Sequence, residues 1–183
     1  MKHRLYNLIG TALLYLSIIG CLAKSTKAAC EADNLLLETS SFPGNIWQET
    51  GSRDLRGAPS RLGIERAGTS FSTQTQGGAI EHYYRFASEN EAKEQYKALQ
   101  SDWFNLISVD TVWLLPEEFN VIELRADEYR LGCSQNIIET CSFVALYQTY
   151  VVEFSADMLS LNYENFQFLV KEIDQKMMMC IGG

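Results

Sequence analysis

The chain has few of the residues that most often do chemistry. Only two histidines occur in 183 residues, His3 and His82, and nothing near His82 in sequence forms a metal-ligand set. There is no Cys-x-x-Cys, the spacing a dithiol redox site or a zinc knuckle needs. No Gly-x-Ser-x-Gly turn presents a serine nucleophile, and no Walker-type loop cradles phosphates, since Gly77-Gly78 reads as a turn. Neither cofactor nor metal is therefore expected. Positive charge is scarce as well. Without Lys2 and Arg4, 13 basic residues face 23 acidic ones, a net charge of −10 with no polybasic run. Such a surface repels nucleic acid, which is excluded as a partner. After the first twenty residues no long apolar run remains.

That first run is informative. Lys2 and Arg4 form a positive start, and Leu5 to Gly20 follow as an apolar stretch broken only by Asn7, Thr11 and Ser17. Sixteen helical residues reach about 24 Å, short of the roughly 30 Å hydrocarbon core. Residues 1–20 thus read as a signal peptide. Its ending, Ile18-Ile19-Gly20-Cys21, resembles a bacterial lipobox, in which the cysteine takes a diacylglyceryl thioether and becomes the first mature residue. Cys21 is the candidate lipidation site, residues 21–29 are a tether, and 30–183 form one extracytoplasmic domain. Ordinary cleavage after Thr26-Lys27-Ala28 and an uncleaved anchor are the rival readings. Lipid chains gain about 0.8 kcal/mol per buried methylene, so the membrane is a partner through the anchor.

Five cysteines are an odd number for an exported chain: Cys21, Cys30, Cys133, Cys141 and Cys180. Giving Cys21 to lipid leaves four, which allow two disulfides in three connectivities. Cys133 and Cys141 flank a turn-like segment between strand-like runs and suit a hairpin staple. Cys30 and Cys180 would then join the domain's ends, where termini are often close.

Leu35-Leu36-Leu37 opens a short apolar turn or helix, and residues 51–63, with three glycines and three arginines, read as a mobile loop. Thr69–Gln76 and Ile80–Phe86 alternate about Gly77-Gly78 as a hairpin, with Ile80, His82, Tyr84 and Phe86 on one face. Ser88 and Glu91 form a capping box. Ala92, Tyr96, Leu99 and Trp103 continue from it at helical spacing. Val121–Cys133 is strand-like with a phase change at Asp127-Glu128, and Phe143–Phe154 reads as one continuous central strand. A last helix from about Asn162 to Met179 turns Phe166, Leu169, Val170, Ile173 and Met177 inward. The fold class is α+β: an antiparallel sheet with two main helices packed on one face.

This order of an early triple leucine, a hairpin, a helix, a cysteine-bearing hairpin and a C-terminal helix resembles small exported bacterial domains. It is similar in outline to the extracellular sensor domains of mycobacterial receptor kinases and to lipoproteins with a PsbP/Mog1-like fold. The resemblance implies a binding or accessory role and carries over no functional residue.

Candidate sites follow from residue types. His82, on the apolar strand face, reads as a core histidine before a base. Glu117-Glu118 and Asp127-Glu128 are adjacent carboxylates that a strand would point to opposite faces, which spoils an acid/base couple. Ser134, Ser142 and Ser155 lack a nucleophile's setting. Trp103, Phe104 and Trp113 cluster in an irregular, aromatic-rich segment, and such residues favour ligand pockets and interfaces. The expected function is a membrane-tethered binding, sensor or accessory domain without catalytic activity, for an envelope protein or a small ligand. The alternative is a cell-envelope enzyme, with a hydrolase the least strained choice.

Overall fold

The computed structural model describes residues 30–51, 63–74, 77–105, 112–134 and 137–182. The signal peptide, Cys21, the tether and most of the arginine-bearing loop lie outside the described residues. Seven strands form one antiparallel sheet: β1 (Trp47–Glu49), β2 (Glu65–Thr73), β3 (Gly78–Arg85), β4 (Trp113–Leu114), β5 (Glu128–Ser134), β6 (Thr140–Tyr147) and β7 (Tyr150–Asp157). Their order across the sheet is β1-β2-β3-β7-β6-β5-β4. Two helices complete the α+β fold: α1 (Glu89–Asn105) and α2 (Tyr163–Gly182). No helix among the described residues is long and apolar enough to cross a membrane.

The helices do not share one face. On one side Phe166, Leu169, Val170, Ile173 and Met177 of α2 pack with Phe143, Ala145, Val152 and Phe154. On the other, Ala92 and Tyr96 of α1 pack with the residues between those, Val144, Leu146 and Val151, and with Tyr84. The reason lies near the β6–β7 turn, where Val144, Leu146 and Val151 are apolar at the opposite parity and need cover on the second face as well. The run of β6 and β7 is also two strands, not one. A two-residue turn at Gln148-Thr149 joins them; Gln148 adopts φ 53°, and its N–H donates to Asp127 Oδ2 at 2.6 Å.

Local signals position the remaining elements. Ser88 Oγ accepts the Glu91 N–H at 3.3 Å, and Glu91 reaches back to the Ala87 N–H at 3.2 Å, so both halves of the start of α1 are capped. Asn162 caps α2 through the Asn165 N–H at 2.8 Å. Residues 122–127 are irregular, and the strand expected from Val121 begins only at Glu128, just after the phase change. Leu35, Leu36 and Leu37 are buried in the α2-side core. Phe42 stacks between Trp47 and Phe71, with ring centroids 4.7 and 4.5 Å away.

Two disulfides close the domain. Cys133 and Cys141 are direct register partners across the β5–β6 hairpin, with Cα atoms 4.0 Å apart. Cys30 is joined to Cys180 near the end of α2, across a Cα separation of 5.6 Å.

Candidate functional site

The aromatic candidates divide. Trp103 falls in the last turns of α1, and its side chain lies outside the described residues. Phe104, one residue on, is buried, and Trp113 on β4 meets it edge to face at 4.8 Å and 67°. The Arg130 guanidinium sits 4.3 Å over the Phe104 ring. Trp113 is half-buried, and its indole Nε1 is enclosed without an acceptor among the described residues. The pair thus braces the sheet from beneath β4, the last strand in the order.

Around that edge the surface is apolar. Val112, Leu114 and Leu115 are about half exposed on or beside β4. Ile137 and Ile138, in the turn joining β5 to β6, are exposed as well. Among the described residues no further strand pairs with β4, so backbone N–H and C=O groups lie open beside these apolar side chains.

Polar side chains converge elsewhere, on the α1 side of the sheet. His82 on β3 and Glu153 on β7 are register partners, with Nδ1 to Oε2 at 3.5 Å. Tyr84 donates to Glu153 at 2.8 Å, and Arg66 lies 5.3 Å over the Tyr84 ring. Burial, then the Glu153 charge, pushes the Tyr84 phenol well above its ordinary pKa. An imidazole beside a carboxylate is half of a nucleophile-activating arrangement. The other half is missing among the described residues, where no hydroxyl is hydrogen-bonded to His82. Ser142 and Ser155 bond each other at 2.9 Å, Ser155 also bonds the Cys141 carbonyl, and Ser134 bonds the Thr140 carbonyl. The imidazole lies over Gly68 of β2 instead, so closely that a Cβ there would sit 2.9 Å from Nε2.

His82 also departs from its sequence reading. The fully buried face of β3 is Ala79, Glu81 and Tyr83, whereas Ile80 is exposed and His82 partly so. Glu117 and Glu118 occupy a short 3-10 helix, both exposed. Asp127 caps the Gln148 turn, and Glu128 pairs with Lys93 at 2.9 Å. No group of three or more His, Cys, Asp or Glu side chains suited to a metal occurs among the described residues.

Besides Glu153, two more buried carboxylates carry no signal in the sequence. Glu81 is fully enclosed. Its Oε2 accepts the Leu37 N–H and its Oε1 the Tyr83 hydroxyl, each at 2.8 Å, and burial raises its pKa to about 7. Asp174 of α2 accepts the Tyr147 hydroxyl at 3.0 Å and the Arg125 N–H at 2.9 Å. Neither sits in a sequence motif; Glu81 shares its strand parity with Ala79 and Tyr83, and Asp174 shares its helix face with Val170 and Met177.

Neither a protein-family model nor a curated protein matches the chain. Among solved structures, the fold is similar to the extracellular domain of PknH from Mycobacterium tuberculosis, with a TM-score of 0.53 at 11% sequence identity. That likeness spans 82% of this chain and 98% of that one, and it places the sheet and helices in a known α+β architecture.

Proposed function

We propose that the chain is an exported, lipid-anchored domain that binds rather than catalyses, and that it docks an envelope protein through the β4 edge. The observation that carries this reading is the apolar surface of Val112, Leu114, Leu115, Ile137 and Ile138 around the terminal strand. Phe104 and Trp113 brace that strand from the α1 side. An extended partner segment can add to a free edge, taking affinity from main-chain hydrogen bonds and specificity from side-chain contacts. Two disulfides suit an oxidising compartment, and the likeness to an extracellular domain agrees with export. Cys21, ending the apolar leader, supplies the anchor.

The test is a double variant, Leu114→Glu with Leu115→Glu. Both side chains are about half exposed, so the melting temperature should hold while cross-linking to the native envelope partner is lost. Retained cross-linking would remove the edge as the docking surface. A second reading, an envelope hydrolase, draws on the His82–Glu153 pair. Turnover of an ester substrate abolished by His82→Ala in a folded domain would establish it and displace the first.

A further inference from the structure

A groove of about 940 Å³ runs along α2, walled by that helix and by the irregular segment 122–127. Asp174 lines it and is only 7% exposed. Both hydrogen bonds that hold this carboxylate end on one oxygen: Oδ1 accepts from the Tyr147 hydroxyl and from the Arg125 backbone N–H. Oδ2 accepts nothing from the described residues, and no lysine or arginine among them stands within ion-pair distance of the carboxylate. Oδ2 is not enclosed, so this otherwise buried carboxylate keeps one oxygen open to a cation. The open oxygen belongs to a groove wall, so that cation can come from solution.

The rest of the lining defines the ligand. Glu123 adds a second carboxylate, Arg125 and Lys171 bring two cationic side chains, and Met178 and Met179 supply thioether surface. A bare divalent cation suits this lining poorly, because two positive side chains repel it. A zwitterion with an apolar body matches all three kinds of wall. The groove also falls within the roughly 300–1,000 Å³ that hold small ligands. We propose that this groove binds a short apolar peptide with a free amino terminus. Its ammonium meets Asp174 Oδ2 and Glu123, its terminal carboxylate meets Arg125 and Lys171, and its side chains lie against Met178 and Met179. This site shares no residue with the β4 edge, so either proposal can fail alone.

Calorimetric titration of the full chain in detergent with Leu-Leu, Met-Leu and Phe-Leu tests it. Saturable binding is expected for at least one of them. Acetylating the amino terminus of that peptide should weaken binding at least tenfold, as should Asp174→Asn. An asparagine keeps an oxygen that can accept the Tyr147 and Arg125 bonds while removing the charge. Lys171→Glu, at an exposed position, gives a second reading should Asp174→Asn fail to fold, and it too should weaken binding at least tenfold. Absence of saturable binding by all three peptides would overturn the proposal. So would equal binding of the acetylated peptide, or unchanged binding by a folded Asp174→Asn or Lys171→Glu variant.

Discussion

Glu81 makes the stability of this fold depend on pH in an unusual direction. The carboxyl lies on the fully buried face of β3, beneath the N-terminal segment that carries the leucine triplet. Desolvation raises its pKa from 4.5 to about 7 against the lowering pull of the Leu37 N–H, the Tyr83 hydroxyl and the Lys176 ammonium, while Glu172 adds to the rise. Lys176 is itself held at 2.6 Å on the Leu36 carbonyl, so strand, strap and helix all meet at this group. The folded state therefore holds the proton more tightly than the unfolded chain does. The stabilisation is fully present below pH 4.5 and is lost as pH rises through about 7. At about 1.4 kcal/mol per unit, the shift corresponds to about 3 kcal/mol in all, of which about 2–3 kcal/mol falls between pH 5 and pH 8. Glu81→Gln copies the neutral form and removes this dependence. Urea unfolding of both proteins at pH 5, 6, 7 and 8 cancels the titration of every other group. The stability difference between them should move by about 2–3 kcal/mol across that range, with the glutamine variant gaining as pH rises. Parallel pH profiles for the two proteins would refute the reasoning.

Two further outcomes follow from the structure and a third from the lipobox-like ending of the leader. Gly68→Ala should destabilise by about 1–3 kcal/mol because the new Cβ overlaps the His82 ring, and most of that cost should vanish in a His82→Ala background; equal cost in both backgrounds would break the link. Replacing Cys30 and Cys180 together by serine opens a closure spanning 150 residues and should cost about 4–5 kcal/mol by chemical unfolding. Cys21→Ser should leave an unprocessed precursor or free the domain from the membrane fraction, with loss of incorporated labelled fatty acid; unchanged fractionation and labelling would refute the anchor.

Much of this architecture can be read from local sequence. The capping box at Ser88 and Glu91 and the stripe of Ala92, Tyr96 and Leu99 define α1 without tertiary context. Phe166 to Met177 do the same for α2. What escapes has a long-range cause. The β6–β7 turn contains neither glycine, proline nor asparagine, and its left-handed residue is Gln148, supported by an Asp127 that is 21 residues away. The same hidden turn conceals that both faces of the strand pair are covered, and hence that the helices lie on opposite sides. Glu81 reads as a polar, outward position because its partner, the Leu37 N–H, is 44 residues distant. Asp174 depends likewise on Tyr147 and Arg125. In the aromatic cluster, the sequence pattern draws attention to Phe104 and Trp113. The exposed leucines, valine and isoleucines around the same edge lack any periodic signal and emerge only from the strand order.

The central claim, that this domain works by docking through its terminal strand, is tested most directly by photo-cross-linking in intact cells. A photoreactive residue is placed at Leu115 on the β4 edge or, as a control, at Lys97 on the exposed side of α1. A discrete adduct of one size from Leu115 and none from Lys97 is the predicted result. No adduct from Leu115, or the same adducts from both positions, would contradict it.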